Sequence, residues 1–356
     1  MKDIIIGNKK IGGSHGLYFV ADIAANHDGS LERAFKLIEL AQAAGADAAK
    51  FQNFQAPKIV SRQGFEALGD KMSHQAGWKK SVYETYQDAS LPAFWTAKLK
   101  AKCDEVGLEY FTSPYDFESV DLVDPFVNVY KIGSGDITWP EIIKYIAKKG
   151  KPIMLATGAS DMNDVARAMN ILRVHGTEVI LMQCNTNYTA RPENFNFINL
   201  NVLKSWRDEF PEVVLGLSDH TPGHATVLGA VALGARVFEK HFTDDNNREG
   251  PDHKFAMNPQ SWREMVDRAN ELFRALGDGI KKVEKNEEES IGLQRRSIRA
   301  GQDLPAGHLL ERDDLSLLRP IPQNGLPPYR LTEVIGKKLI RPLKEGDCVL
   351  FNNLQI

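Results

Sequence analysis

Between Tyr18 and Leu276 short β-branched runs alternate with longer runs of helical period, and this alternation leaves few folds open to the chain. The candidate strands are Tyr18–Ile23, Ala48–Phe51, Glu109–Thr112, Val127–Ile132, Ile153–Ala156, Val179–Gln183, Val214–Leu217 and Arg236–Lys240. Helical segments separate them, most clearly Leu31–Ala44, Pro92–Val106, Trp139–Lys149, Met162–His175, Ala225–Leu233 and Gln260–Leu276. Strand, helix, strand is the unit of a parallel sheet. Eight such units in a segment of this length match a TIM (β/α)8 barrel, whereas a doubly wound sheet has fewer strands and an open edge. The expected class is α/β: a TIM barrel followed by a small β-rich domain. The polar stretch after Phe54, with Trp78 and Tyr83, reads as an excursion over the rim.

In such a barrel the chemistry sits at the C-terminal strand ends. The polar residues of this chain fall there. Asp22, Asn26 and His27 follow the first strand, Lys50, Gln52 and Asn53 the second, and Ser113 the third. Lys131, Ser134 and Asp136 follow the fourth, Thr157 the fifth, and Asn185, Thr186, Asn187 and Tyr188 the sixth. His220 and His241 complete the seventh and eighth. One helix separates these two histidines, so both imidazoles reach the same rim. With acidic Asp219 and Asp252 close in sequence, the pair suggests a divalent metal. Two neutral imidazoles with oxygen donors admit Mn²⁺, Mg²⁺ or Zn²⁺; buried histidines with ordinary hydrogen bonds are the alternative.

Lys50 and Lys131 lie inside apolar runs, where an unmatched ammonium costs several kcal/mol. A multiply charged anionic ligand in the mouth would match them; salt bridges to Asp22 and Asp136 are the other account. Asp22 and Asp136 are candidate general acids or bases, or counter-ions. The glycines of Gly133-Ser134-Gly135 and Thr157-Gly158 would let backbone N–H groups approach phosphate oxygens.

Lys and Arg total 44 against 47 Asp and Glu, a net charge of −3, so no basic field exists to hold a nucleic acid. No apolar run is long enough for a membrane span, and Met1–Gly7 is too short for a secretory signal. Cys103, Cys184 and Cys348 are too few and scattered for a disulfide frame, which fits the reducing cytoplasm.

Beyond Leu276 a charged stretch, Lys281 to Glu289, reads as a solvated linker. The tail shows a weak duplication: Leu304, Gly307, Leu310 and Leu315 are echoed in register by Leu343, Gly346, Val349 and Leu354. The expected organisation is a barrel over residues 1–280, a linker over 281–293 and a small domain over 294–356.

Several strings, in this order, resemble the sialic acid (N-acetylneuraminate) synthase family. They are Asn26-His27-Asp28-Gly29-Ser30, Ala44-Gly45-Ala46-Asp47-Ala48-Ala49-Lys50-Phe51-Gln52, Tyr130-Lys131-Ile132-Gly133-Ser134-Gly135, Gly216-Leu217-Ser218-Asp219-His220-Thr221, Glu239-Lys240-His241-Phe242 and Gly250-Pro251-Asp252-His253. The tail from Gln294-Arg295-Arg296-Ser297 resembles the antifreeze-like (SAF) domain that closes those proteins. The resemblance implies a metal-dependent condensation of phosphoenolpyruvate with an N-acylated amino-sugar aldehyde, giving a nonulosonic acid for a cell-surface polysaccharide. It further implies that Lys50, Lys131, Ser134, Thr186 and Ser218 hold phosphoenolpyruvate, with Thr157, Asn185 and Asn187 among the substrate-binding residues. Gln52, Tyr188 and Asp252 would line the sugar side, Asp22, Asp136 and Lys131 would serve catalysis, and His220 and His241 would bind the metal, with Mn²⁺ ahead of Mg²⁺ or Zn²⁺. In the family the small domain lies over the partner's barrel in a domain-swapped homodimer and lends it an arginine, matched here by Arg319.

This chain departs from the family at three places. Asp22 and Asp136 stand where glutamate is usual, each one methylene shorter, and misplacement of a reacting group costs rate unless the site is rebuilt. The turn Arg319-Pro320-Ile321-Pro322-Gln323-Asn324-Gly325 lacks the usual run of glycines. These departures keep two other readings open: a related synthase with a different aldehyde acceptor, and a non-catalytic paralogue that binds sugar or anion.

Overall fold

The computed structural model describes residues 3–69 and 73–355. Contacts divide the chain into two compact units, Met1–Gly277 and Asp278–Ile356.

The first unit opens with a hairpin, β1 (Ile4–Ile6) and β2 (Lys9–Ile11), turned at Gly7 with φ +54°. Eight parallel strands follow: β3 (Tyr18–Asp22), β4 (Ala48–Asn53), β5 (Glu109–Pro114), β6 (Tyr130–Ile132), β7 (Ile153–Ala156), β8 (Val179–Cys184), β9 (Val214–Asp219) and β10 (Val237–His241). Their ladders run in the order β5-β4-β3-β10-β9-β8-β7-β6, and β5 lies beside β6 to complete the ring. The expected barrel is present. All five residues of β10 and all six of β8 and β9 are buried, because helices cover the outer face and side chains fill the interior.

Hydrophobic period places the helices close to their expected bounds, as with Met162–Val174 and Pro259–Ala275. Side-chain caps set their starts: Asp161 accepts from the backbone N–H groups of Asn163 and Asp164, and Asn258 from that of Ser261. The fourth strand is shorter than read, since Val127 to Val129 approach it without joining the ladder.

The β1–β2 hairpin was not legible as strand. It buries Ile4, Ile6 and Ile11 in the main core. Lys9 pairs with Asp47, just before β4, and Gly7 sits against Glu109 and Asn128, at the start of β5 and just before β6. The hairpin therefore covers the N-terminal end of the barrel.

The second unit has its own small core, including Ile298, Leu304, Leu310, Leu315, Leu343, Val349 and Leu354. β11 (Ser297–Ala300) pairs with β12 (Leu315–Leu318). The sequence echo has a structural meaning: Leu304 and Leu343 exchange both backbone hydrogen bonds, at 2.8 and 2.9 Å. The repeated glycines Gly307 and Gly346 adopt φ +83° and +85°, a turn conformation that strains any residue with a Cβ. Among the described residues, no helix is long and apolar enough to cross a membrane.

Candidate active site

Side chains alternate across each strand, so the register decides which residues meet inside the barrel. Asp22 pairs with Lys50 across β3 and β4, and with His241 across β3 and β10. On the inward face Ser218 leads to His220 at the end of β9, and Glu239 to His241 at the end of β10. A cavity of about 540 Å³ opens above them at the C-terminal end. It is lined by Asp22, Lys50, Gln52, Lys131, Ser134, Asp136, Thr186, Tyr188, Ser218, His220, His241 and Asp252.

Its floor is an ion cluster. Lys50 Nζ lies 2.7 Å from Asp22 Oδ2 and 3.6 Å from Glu239 Oε1, while Lys131 Nζ donates to Glu239 Oε1 at 2.6 Å. Of the salt bridges offered as the alternative account, Lys50–Asp22 exists; Lys131–Asp136 does not, because Glu239 takes the place assigned to Asp136. Burial opposes the charge on Glu239, yet Lys131 and Lys50 outweigh it and hold its carboxyl below the usual range. Burial also lifts Asp22; Lys50 opposes the lift and the Glu239 charge adds to it. One ammonium is shared between two carboxylates, so Asp22 gains only part of its compensation. Burial works against the charge on Lys50 as well, but both carboxylates keep its pKa raised. Asp136 has no such partner, and burial lifts it to about 6.

The imidazoles form the wall, with ring centres 5.4 Å apart. His220 Nδ1 lies 2.8 Å from the Asn185 carbonyl oxygen, which can only accept, so that nitrogen carries the proton and Nε2 keeps its lone pair. Burial lowers His220 to about 3 and His241 to about 4, so both rings are neutral. Buried His241 Nδ1 has no hydrogen-bond partner; Asp252 Oδ2 stands 3.7 Å away and Asp22 Oδ2 lies 3.5 Å from Nε2. Neutral rings, a freed lone pair and an orphaned ring nitrogen suit a divalent cation. Among the described residues no three His, Cys, Asp or Glu side chains form a ligand group, so an ion here would draw further oxygens from substrate or solvent. Asp219, expected near the metal, faces outward and pairs with Lys240.

Three residues placed at the site by sequence have their side chains engaged elsewhere. Thr157 Oγ1 donates to the Met182 carbonyl oxygen at 3.0 Å. Asn185 Nδ2 donates to Phe197 O, and Asn187 Oδ1 accepts from Thr189 and Asn194. None of the three lines the cavity. Arg319 belongs to the second unit. Gly158 does bear on the site: a Cβ there would stand 2.5 Å from Thr186 Cγ2 and 2.9 Å from Ser134 Oγ, which accepts from its N–H.

Sequence reasoning missed Glu239, although period two along β10 puts it on the same face as His241. It also missed the upper wall. Phe54, Trp78, Tyr86 and Tyr115 line the cavity, with Phe54 and Tyr86 ring centres 5.5 Å apart and those of Trp78 and Tyr86 at 6.4 Å. The excursion after β4 is thus a roof. Two distant strings of the sequence also meet beside the site: His253 Nε2 contacts Asp28 Oδ1 at 2.8 Å, while Asp252 accepts from the Ala25 N–H.

Residues 37–281 match the model of the NeuB family and residues 295–355 that of the SAF domain. The N,N'-diacetyllegionaminic acid synthase of Campylobacter jejuni is 35% identical over 334 residues, covering 93% of this chain and 98% of that one. Among solved structures, the N-acetylneuraminic acid synthetase of Leptospira borgpetersenii superposes with a TM-score of 0.71 at 26% identity, over 82% of this chain and 95% of that one. The spore coat polysaccharide biosynthesis protein spsE of Bacillus subtilis superposes with a TM-score of 0.66 at 30% identity, over 100% and 99%.

Proposed function

The chain belongs to the NeuB family, and on that premise we propose that it condenses phosphoenolpyruvate with an unphosphorylated N-acylated amino-sugar aldehyde to give a nonulosonic acid and phosphate. The observation that carries this reading is the convergence of Lys50, Lys131, His220 and His241 on one cavity. Two ammonium groups at the floor suit the carboxylate and phosphate of an enol phosphate. Among the described lining residues these are the only lysines and there is no arginine, and both lysines already face carboxylates. Higher up stand Asp136 and Asp252, which would repel a phosphorylated sugar.

In the reaction the vinyl carbon of phosphoenolpyruvate bonds to the aldehyde carbon, whose oxygen takes up a proton. Water adds to the carbon bearing the phosphate, and the C–O bond breaks to release phosphate. Lys50 and Lys131 hold the anion, with the Ser134, Thr186 and Ser218 hydroxyls as donors. Gln52, Tyr188 and Asp252 face the sugar, and the roof of Phe54, Trp78 and Tyr86 limits the entry of bulk water. A divalent cation, Mn²⁺ ahead of Mg²⁺ or Zn²⁺, would be held by His220 and His241 and supplies Lewis-acid polarisation of the aldehyde oxygen when bound. Asp136 takes the proton of the added water.

Phosphate release with phosphoenolpyruvate and Mn²⁺ across a panel of aldehydes tests the reading. Turnover is expected with N-acetylated hexosamines and far less with their phosphorylated forms. No release with any aldehyde would reject it, and a preference for the phosphorylated sugar would reject the acceptor class.

The role of Asp136 gives a pH dependence. Because burial lifts this group to about 6, its carboxylate is lost as pH falls through that value, and kcat/KM is expected to fall with it. The imidazoles titrate well below and do not contribute near pH 6. Asp136→Asn should remove that limb and lower kcat by about 10²–10⁴-fold, the usual reach of general acid–base catalysis. An unchanged pH–rate profile in the variant would rule the base out.

The reading extends to a homodimer in which Arg319 reaches the partner's site, for which sedimentation of the full chain should give twice the subunit mass. It places the enzyme in the cytoplasm, consistent with free Cys103, Cys184 and Cys348, and an enzyme active only after export would overturn that placement.

A further inference from the structure

Behind the imidazole pair, on the outer face of the barrel sheet, β9 and β10 are joined by a buried ion pair that is not part of the lining of the cavity above. The ladder sets Lys240 opposite Asp219. Lys240 Nζ donates to Asp219 Oδ2 and, at 2.6 Å, to the Thr221 carbonyl oxygen. Asp219 also accepts from the Thr226 hydroxyl at 2.7 Å, the Thr221 hydroxyl at 2.8 Å and the Thr221 N–H at 3.1 Å. The two side chains are 1% and 2% exposed. Thr226 lies in the first turn of the helix Ala225–Ala232, so one cluster ties together two strand ends, the loop after β9 and the helix that follows.

Stability does not account for this pair. A fully buried ion pair gives up the hydration of both charges, and well-packed apolar residues of similar size serve folding as well or better. What this pair ties together is the loop after β9, next to His220, and the end of β10. Asp219 precedes His220 and Lys240 precedes His241, each facing away from the cavity while its neighbour faces into it.

We propose that Asp219 and Lys240 are a positioning pair, which sets the separation of His220 and His241 so that both imidazoles engage one divalent cation. The inference rests on the metal reading above. It assigns no contact between the pair and any ligand; the pair acts through the strand ends.

The experiment uses the full-length protein with Mn²⁺ alone as the probe, titrated calorimetrically. The double variant D219L/K240M removes one charge of each sign, so the net charge is unchanged and the two charges removed act on His220 in opposite senses. It is expected to keep a thermal midpoint at or above that of the parent while Mn²⁺ affinity falls about 10–100-fold, the range typical of residues that orient metal ligands. In turnover the concentration of Mn²⁺ giving half-maximal rate should rise by the same factor, with kcat largely recovered at saturation. A folded double variant with parental Mn²⁺ affinity would overturn the proposal. Should the double variant fail to fold, D219N keeps the shape of the pair and weakens its bond to Lys240; weakened Mn²⁺ binding supports the role, and unchanged binding overturns it. Parent protein that binds no Mn²⁺, or a His220→Ala variant that binds it equally well, would bring down the metal reading and the pair's role together. Loss of Mn²⁺ binding in His220→Ala, with parental binding in D219L/K240M, would bring down the pair's role alone.

Discussion

Lys131→Met is expected to weaken phosphoenolpyruvate binding by about 2–5 kcal/mol, roughly thirtyfold to a few thousandfold, the range for removing one partner of a buried charged contact. The effect on the aldehyde should be small, because Lys131 lies on the floor. The same substitution strands a carboxylate: Lys131 and Glu239 meet at 2.6 Å with side chains 3% and 5% exposed. Breaking such a pair costs about 3–5 kcal/mol, less here because Lys50 still stands 3.6 Å from Glu239. Two losses are therefore superimposed, and a second substitution separates them. Lys131→Met with Glu239→Gln should recover most of the lost thermal midpoint and none of the lost affinity. Ligand titration alongside thermal melts reads both quantities. An unchanged dissociation constant in Lys131→Met would end the assignment of this lysine to the substrate.

His220→Ala should lower the rate of phosphate release by about a thousandfold, since polarisation of a carbonyl by a metal ion is worth several kcal/mol. A chelator should bring the parent enzyme to the same level, and added Mn²⁺ should restore the parent but not the variant. The ring is also a neighbour of Tyr188, 4.2 Å away between centres, so the variant loosens one side of the sugar pocket. That loss appears as a raised KM for the aldehyde, distinct from the fall in kcat. Activity that survives both chelation and the substitution would show that no metal is needed at this position.

The barrel was legible in the chain because its strands are bounded by helices long enough to show their period. The β1–β2 hairpin was not, since three-residue strands carry too little alternation to count. Within the site, sequence located the rim but not the direction of each side chain. Thr157, Asn185 and Asn187 lie at strand ends as expected, yet backbone carbonyls and neighbouring polar groups consume their hydrogen-bonding capacity. Asp219 beside His220 was read as a neighbour of the metal, although adjacent residues on a strand point to opposite faces. The same rule, applied to Glu239 and His241, would have found the counter-ion of both lysines. The roof was seen only as a polar excursion, because the aromatic residues that line the cavity are spread from Phe54 to Tyr115 and meet only in the folded chain.

The hairpin at the foot of the barrel adds Ile4, Ile6 and Ile11 to an interior already filled with side chains. The cavity lies at the opposite, C-terminal end, so on the proposed reading both substrates enter from that side. On the same reading phosphoenolpyruvate, seated on the two lysines, is expected to bind before the sugar that lies above it.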